Sequence, residues 1–198
     1  DLTAHVMRAW RAWYGDLPEL CGRIDSAYER AAQYLARTDR EYGWAPLWFG
    51  HQDAPEEVNW TYGTARVAEA LNESGQLELP GGAMRQRAAR NCLLELQRED
   101  GAWSGFPEGP VSVEETALAL AALSGVAEED EALERALARG TEWLVERVED
   151  GRWTEPSPIG FYFAKLWYFE KLYPVIFTVG ALERLAERGE ANPSVSVL

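Results

Sequence analysis

A short Gly-Trp loop occurs three times along this chain, and no other sequence feature limits the possible folds as much. Its copies contain Tyr42-Gly43-Trp44, Gly101-Ala102-Trp103 and Gly151-Arg152-Trp153. Each loop follows the second of two segments in which apolar residues recur with a helical period. The loops recur at intervals of about 50 to 60 residues, and a period of this size predicts an array of helix pairs.

The apolar period predicts seven helices, and the alternation typical of strands is nearly absent. Asp25 or Ser26 is the expected N-cap of the second helix. Pro174 is expected to kink or split the seventh helix. The predicted helices span about Leu2–Trp13, Asp25–Arg37, Tyr62–Ser74, Ala83–Arg98, Val113–Ser124, Glu131–Glu149 and Phe161–Arg188.

The odd-numbered and even-numbered helices differ in polarity. The third and fifth helices are made mainly of small apolar residues, whereas the fourth and sixth each have one charged face. Because a helix that is apolar on all sides is buried, we expect the odd helices to be inner and the even helices outer. The predicted fold is all-α: one partial α/α toroid over residues 1–198, either an open arc or a part of a larger barrel.

Composition excludes several classes of function. The net charge of −14 disfavours nucleic acid as a partner, because phosphate binding requires clustered Lys and Arg. Cys21 and Cys92 are expected to be buried thiols in a reducing compartment, since neither lies in a Cys-x-x-Cys motif. The sequence contains no run of about 20 apolar residues, so no membrane span is expected. The nine Trp, eight Tyr and six Phe exceed what a helical core needs, and they indicate an aromatic surface with a function.

Four segments resemble squalene-hopene and other triterpene cyclases, in the same order along the chain. The segment from Gln97 to Trp103 resembles the QW repeat of that family. The others are Asp1–Val6, which resembles an inner-helix start, Asn59–Thr64, which resembles an aromatic-Tyr-Gly-Thr segment, and Gly160–Pro174, which resembles the C-terminal aromatic helix. The resemblance covers essentially the whole chain and implies the C-terminal part of such a cyclase.

The resemblance implies a reaction that starts when an Asp-x-Asp-Asp motif protonates an alkene and that needs no metal or cofactor. The implied substrate is squalene or a shorter polyprene. No Asp-x-Asp-Asp occurs in this chain, so we expect the acid to lie in an N-terminal part of the protein and this chain to be inactive alone. A cytoplasmic location, with the membrane surface as a further partner on its inner face, is also implied.

Aromatic side chains are the candidate substrate-binding residues, because ring faces stabilise a carbocation that a carboxylate would trap. By resemblance, Trp48, Tyr62, Tyr162 and Phe169 match positions of the cavity wall. Leu166 stands where relatives often have an aromatic residue. The full candidate set is Trp48, Trp60, Tyr62, Phe161, Tyr162, Leu166 and Phe169. Because inner helices of a toroid run the same way, these residues are expected to converge at one end of the barrel.

A second set of residues is expected to brace the structure. In this prediction the Gln side chain caps a helix end, the Trp stacks on a neighbouring helix, and Gly101 adopts a left-handed conformation. The set comprises Gln97, Asp100, Gly101, Trp103, Gly151 and Trp153.

Two acidic segments have simpler interpretations than catalysis. The segment from His51 to Glu57 is expected to be a solvated loop that brings polar groups near the cavity. Glu114 and Glu115 are expected to be dipole-stabilising charges at a helix N-terminus, with removal of the final proton as an alternative.

Two alternatives to a cyclase remain. A protein prenyltransferase β-subunit is also an α/α toroid, but its zinc site of Asp, Cys and His has no counterpart around Cys21 and Cys92. A non-catalytic toroid that binds a lipid or a protein is the second alternative.

Overall fold

The computed structural model describes residues 1–40, 43–74, 82–127, 130–161 and 165–191, and within them the fold is mainly helical. Three of the seven predicted helices have the predicted bounds. The helices of the described residues are α1 (Leu2–Trp13), α2 (Cys21–Thr38), α3 (Trp60–Ser74), α4 (Gly82–Leu96), α5 (Val113–Ser124), α6 (Glu131–Glu149) and α7 (Tyr173–Ala191). The all-α class is therefore confirmed.

Polar side chains fix the starts of three helices. Asn59 Oδ1 accepts from the backbone N–H of Tyr62 at 2.9 Å, and Ser112 Oγ accepts from that of Glu115 at 3.0 Å. Asp130 caps α6 in the same way. Each cap satisfies a backbone donor that has no partner inside the helix. The cap predicted at Asp25 or Ser26 is wrong, because α2 begins four residues earlier, directly after the 3₁₀ turn Pro18–Leu20.

The odd helices form the inner layer, as predicted. In the part of the chain that is described, α3 packs between α1 and α5, and α5 packs between α3 and α7. Outside this layer, α2 packs on α1, α4 on α3 and α6 on α5. Every residue of α5 is buried, which agrees with its lack of a polar face. The described residues thus form an arc of an α/α toroid.

Five short strands join the loops at the N-terminal ends of the inner helices. They are β1 (Phe49–Gly50), β2 (Trp103–Ser104), β3 (Val111–Ser112), β4 (Pro158–Phe161) and β5 (Leu166–Phe169). Strand β4 pairs antiparallel with β1 and β5, so that Phe161 is opposite both Phe49 and Leu166. Strands β2 and β3 form a separate antiparallel pair. The β1–β4 pairing connects two loops that are more than a hundred residues apart in the chain.

The prediction that the seventh helix begins at Phe161 is wrong. Among the described residues from Phe161 to Leu172 there is a β-hairpin, and α7 begins only at Tyr173. Pro174 disfavours a helical residue before it and is well placed in a first helical turn, while the aromatic run favours strands. A Cβ at Gly160 would lie 1.9 Å from the Leu166 carbonyl oxygen, so glycine is needed for this close strand pair.

The first two Gly-Trp loops dock on the following inner helix in the same way. The Trp44 indole donates to the Leu35 carbonyl at 2.8 Å, and the Trp44 backbone N–H donates to Thr64 Oγ1 at 3.1 Å. In the second loop the Trp103 indole donates to the Leu93 carbonyl at 2.7 Å, and its N–H donates to Thr116 Oγ1 at 3.0 Å. Each tryptophan therefore ties an outer helix to the next inner helix.

Gln97 and Gly101 complete the second loop. The Gln97 amide donates to the carbonyl oxygens of Gly101 at 2.8 Å and Ala136 at 2.9 Å, and so connects the loop with α6. The left-handed conformation predicted for Gly101 is present, with φ of +94°. Asp100 accepts from the backbone N–H of Ala102 at 3.2 Å. Gly43 and Gly151 have positive φ as well, so the backbone of the three loops shares this feature.

Among the described residues, no helix is long and apolar enough to cross a membrane.

Candidate functional site

Aromatic residues from three separate segments meet at the N-terminal ends of the inner helices. The Phe49 ring lies 5.0 Å from the Tyr62 ring, tilted by 59°. Tyr173, at the start of α7, lies 5.3 Å from Phe177 one turn later. The β1–β4 pairing places the hairpin beside Phe49. We call this group of Phe49, Tyr62, Tyr173 and Phe177 the aromatic cluster.

The predicted wall residues occupy different environments. Tyr62 is buried, and Trp60 is partly buried against the core as the first residue of α3. The side chains of Trp48, Leu166 and Phe169 are 39%, 55% and 59% exposed. Phe161 is placed by its strand pairing, and Tyr162 lies outside the described residues. The structure thus brings Tyr62 and the hairpin backbone together, and it leaves Trp48, Leu166 and Phe169 exposed.

A network of charges centred on the buried Glu69 lies one to two turns beyond Tyr62. The Glu69 carboxylate, 3% exposed, accepts from Arg8 of α1 at 3.1 Å and from Arg66 of its own helix at 2.9 Å. Arg184 of α7 approaches the same carboxylate at 3.2 Å. Because α5 separates α3 from α7, a contact between Arg184 and Glu69 requires both side chains to lie on the concave face of the arc.

Arg66 connects this network with the aromatic cluster. Its guanidinium carbon lies 5.2 Å from the centroids of both the Tyr62 ring and the Phe177 ring, within cation–π range. Sequence reasoning missed this contact. The signal was present, since Arg66 and Glu69 interrupt a helix that was predicted to be buried.

Two carboxyl groups are buried at the start of α5. Glu114 Oε2 accepts from the backbone N–H of Ser157 at 2.7 Å and from its hydroxyl, and Glu115 Oε1 accepts from Asn59 at 2.8 Å. The other oxygen of each carboxyl is buried without a hydrogen-bond partner among the described residues. Burial, and for Glu114 also the neighbouring Glu115, raises their pKa values to about 8 and about 7.

Glu114 and Glu115 were expected to be dipole-stabilising charges, and the structure places both side chains in a buried environment that raises their pKa values. A helix N-terminus favours the ionised form of a carboxyl group, but the loss of water around these two side chains outweighs that effect and favours the protonated form.

The segment from His51 to Glu57 is only partly solvated, so that expectation is wrong for His51. The imidazole of His51 is buried, packs edge-on to Phe106 at 5.2 Å, and accepts through Nδ1 from the backbone N–H of Asp53 at 3.2 Å. Burial lowers the pKa of His51. Glu57 pairs with Lys165 in the hairpin turn. Among the described residues, no group of three or more His, Cys, Asp or Glu side chains could hold a metal.

Comparison with known proteins agrees with this architecture. The model of the squalene-hopene cyclase C-terminal domain matches residues 1–187. The chain belongs to this family. It is also similar to a squalene–hopene cyclase of Zymomonas mobilis, with 29% identity over 184 residues that cover 86% of this chain. The chain spans about a quarter, 26%, of the length of that relative. Membership of this family supports a cyclase-related function.

Proposed function

We propose that this cyclase-family chain forms one aromatic wall of the cavity in which a protonation-initiated polyprenyl cyclase holds its carbocation. The supporting observation is the convergence of Phe49, Tyr62 and the β4–β5 hairpin at one end of the arc. Ring faces stabilise a cation without trapping it, each by about 0.5–2 kcal/mol, so several rings must act together.

The proposal places the initiating acid elsewhere in the protein. Apolar side chains on both edges of the arc support a continuation of the toroid. On α1, Leu2, Val6 and Trp13 are exposed. On the α7 side, Leu172, Ile176 and Val179 are exposed. Apolar surface of this extent at two edges favours further helices packed against them. In this proposal those helices belong to the part of the protein that supplies the acid.

The test uses the full natural protein, incubated without metal with squalene and with a shorter polyprene, and products identified by gas chromatography and mass spectrometry. Phe49→Leu and Tyr62→Leu are expected to lower turnover about tenfold and to release products with fewer rings, since one cation–π contact is lost. Tyr34→Leu, at an exposed position of α2, is the matched control and is expected to behave like the wild type.

Failure of the wild-type protein to form any cyclic product would contradict a cyclase. It would favour the non-catalytic binding arc instead. Equal effects of Tyr62→Leu and Tyr34→Leu, with cyclic products still formed, would contradict only the aromatic-wall assignment. Flotation of the protein with lipid vesicles tests the further proposal of a peripheral membrane position, which predicts co-migration with the lipid.

A further inference from the structure

Two adjacent acids at the start of α5 bind two different segments of the chain. Glu115 Oε1 accepts from the side-chain amide of Asn59 at 2.8 Å. Glu114 Oε2 accepts from the backbone N–H of Ser157 at 2.7 Å and also from the Ser157 hydroxyl. Asn59 directly precedes α3, and Ser157 directly precedes strand β4. The acid pair of Glu114 and Glu115 therefore connects one inner helix with the starts of two other elements.

Asn59 links Glu115 to the aromatic cluster. Its Nδ2 donates to Glu115, while its Oδ1 accepts from the backbone N–H of Tyr62 at 2.9 Å. The Asn59 residue is 1% exposed, so water does not compete for either bond. Because one planar amide group makes both bonds, the position of Tyr62 depends on that of Glu115.

Ser157 links Glu114 to the β4–β5 hairpin. Strand β4, which begins at the next residue, pairs with β1 so that Phe161 lies opposite Phe49. The Phe49 ring in turn lies 5.0 Å from the Tyr62 ring. These contacts form a closed loop that runs from Tyr62 through the acid pair to β4, across to β1, and back to Tyr62 through Phe49. The acid pair is the part of this loop that α5 supplies.

The environment of the acid pair suits a place beside a cation. Glu114 and Glu115 are 4% and 3% exposed, and burial raises their pKa values to about 8 and about 7. A neutral carboxyl group can still accept hydrogen bonds from Asn59 and Ser157. It carries no negative charge that would attract a carbocation away from the ring faces.

We propose that Glu114 and Glu115 are positioning residues, which hold Tyr62 and the β4–β5 hairpin at a fixed separation and thereby determine how many rings the cyclase closes. This inference rests on the proposed function and names residues that control its product. Neither acid touches the substrate. When the two arms of the wall move apart, the cation and the next alkene of the chain lose their reactive geometry. The cation then loses a proton to water and ends as an alkene with fewer rings.

Asn59→Ser tests the contact with Glu115 in the full natural protein, with squalene as the substrate. Serine keeps an oxygen that can cap α3, but its side chain is too short to reach Glu115. We expect kcat to fall about 3- to 10-fold with KM within about twofold of the wild type, and products with fewer rings to increase. Asn91→Ser, at an exposed position of α4, is the matched control and is expected to behave like the wild type.

Two kinds of substitution at the acids separate hydrogen bonding from charge. Glu114→Gln and Glu115→Gln keep an acceptor oxygen, so both are expected to give the ring distribution of the wild type. Glu114→Leu and Glu115→Leu remove the acceptor, and both are expected to shift the products in the same direction as Asn59→Ser. A role in stability alone would lower the unfolding temperature without changing the ring distribution of the folded protein.

Hydrogen exchange measured by mass spectrometry tests the positioning without catalysis. Glu115→Leu is expected to increase exchange at the start of α3 about tenfold, and Glu114→Leu to do so at residues 157–161. Each leucine variant should affect its own segment more than the other one. The glutamine variants should exchange like the wild type.

Wild-type turnover and products from Asn59→Ser would overturn the proposal, and so would glutamine variants that perform as poorly as the leucine variants. If a leucine variant does not fold, Asn59→Ser and the glutamine variants decide. A wild-type protein that forms no cyclic product from any polyprene would contradict the proposed function. The exchange experiment would then still decide whether the acid pair holds the two segments.

Discussion

The second and third Gly-Trp loops have the same local sequence pattern but are anchored differently. Trp103 is fully buried, and hydrogen bonds from its indole and its backbone N–H reach α4 and Thr116 of α5. Trp153 is half-buried in the 3₁₀ turn Arg152–Thr154. The corresponding position of α7 is Thr178, whose buried hydroxyl has no hydrogen-bond partner among the described residues.

The difference shows that the segment between the loop and the next inner helix decides the anchoring. Thr64, Thr116 and Thr178 are all buried, and each is followed seven residues later by a buried leucine (Leu71, Leu123 and Leu185). The β2–β3 pair brings α5 directly onto the second loop. After the third loop the chain first forms the β4–β5 hairpin, which pairs with β1. The hairpin therefore positions α7 in relation to the aromatic cluster. Among the described residues, the Thr178 hydroxyl consequently forms no hydrogen bond with the third loop.

The largest contrast is expected when the tryptophans are removed. Trp103→Ala should lower the free energy of unfolding by about 3–5 kcal/mol, because it leaves a large cavity between α4, α5 and α6. Trp153→Ala should cost less than about 2 kcal/mol, since less apolar surface is buried. Chemical denaturation followed by circular dichroism measures both. Equal losses would contradict the difference in anchoring.

Alanine at the loop glycines should give the next largest contrast. A Cβ at Gly101 would lie 2.7 Å from the Arg139 carbonyl oxygen, whereas one at Gly151 would meet nothing within 4 Å. Positive φ alone costs a non-glycine residue about 1–2 kcal/mol. We therefore expect about that cost for Gly151→Ala and a clearly higher cost for Gly101→Ala in the same unfolding measurement. A Gly151→Ala variant that is the less stable of the two would refute this ordering.

Replacing the threonines by valine tests the backbone contact. Thr116→Val removes the acceptor of the buried Trp103 N–H and should cost about 1–3 kcal/mol. Thr178→Val removes a hydroxyl that has no partner and should be neutral or slightly stabilising. Urea midpoints at constant m-value report both changes. A destabilising Thr178→Val would show that its hydroxyl has a partner in the natural protein.

The smallest effect is expected from pH, and it distinguishes the start of α5 from that of α7. Burial raises the pKa values of Glu114 and Glu115 from the usual 4.5 to about 8 and about 7. The folded chain then binds more protons than the unfolded chain between these values, so stability is fully present below about pH 4.5 and falls as the pH rises towards 8.

Glu115→Gln should flatten this dependence, and the exposed Glu131→Gln should leave it unchanged. Thermal melts between pH 5 and pH 9 make the comparison. A stability that rises with pH in the wild type would contradict the buried neutral acids.

Local sequence patterns predicted much of the fold. The bounds of α1, α5 and α6, the inner and outer layers and the left-handed Gly101 all follow from properties of short segments: apolar period, caps and glycine. The β-hairpin was missed because its aromatic residues suit both a buried helix and a strand, and the choice depends on pairing with Phe49, more than a hundred residues away. The environment of Glu114 and Glu115 was missed because a helix N-terminus indicates charge, while burial depends on the packing of three other segments.

The sequence by itself determined the helix order, the polarity of each helix and the family, because these depend on residue type and local spacing. Only the tertiary structure decided which side chains meet. Arg8, Arg66 and Arg184 come from three helices and converge on Glu69 only because the arc is curved. Curvature results from packing across the inner layer, so no single segment encodes the charged surface beside the aromatic cluster.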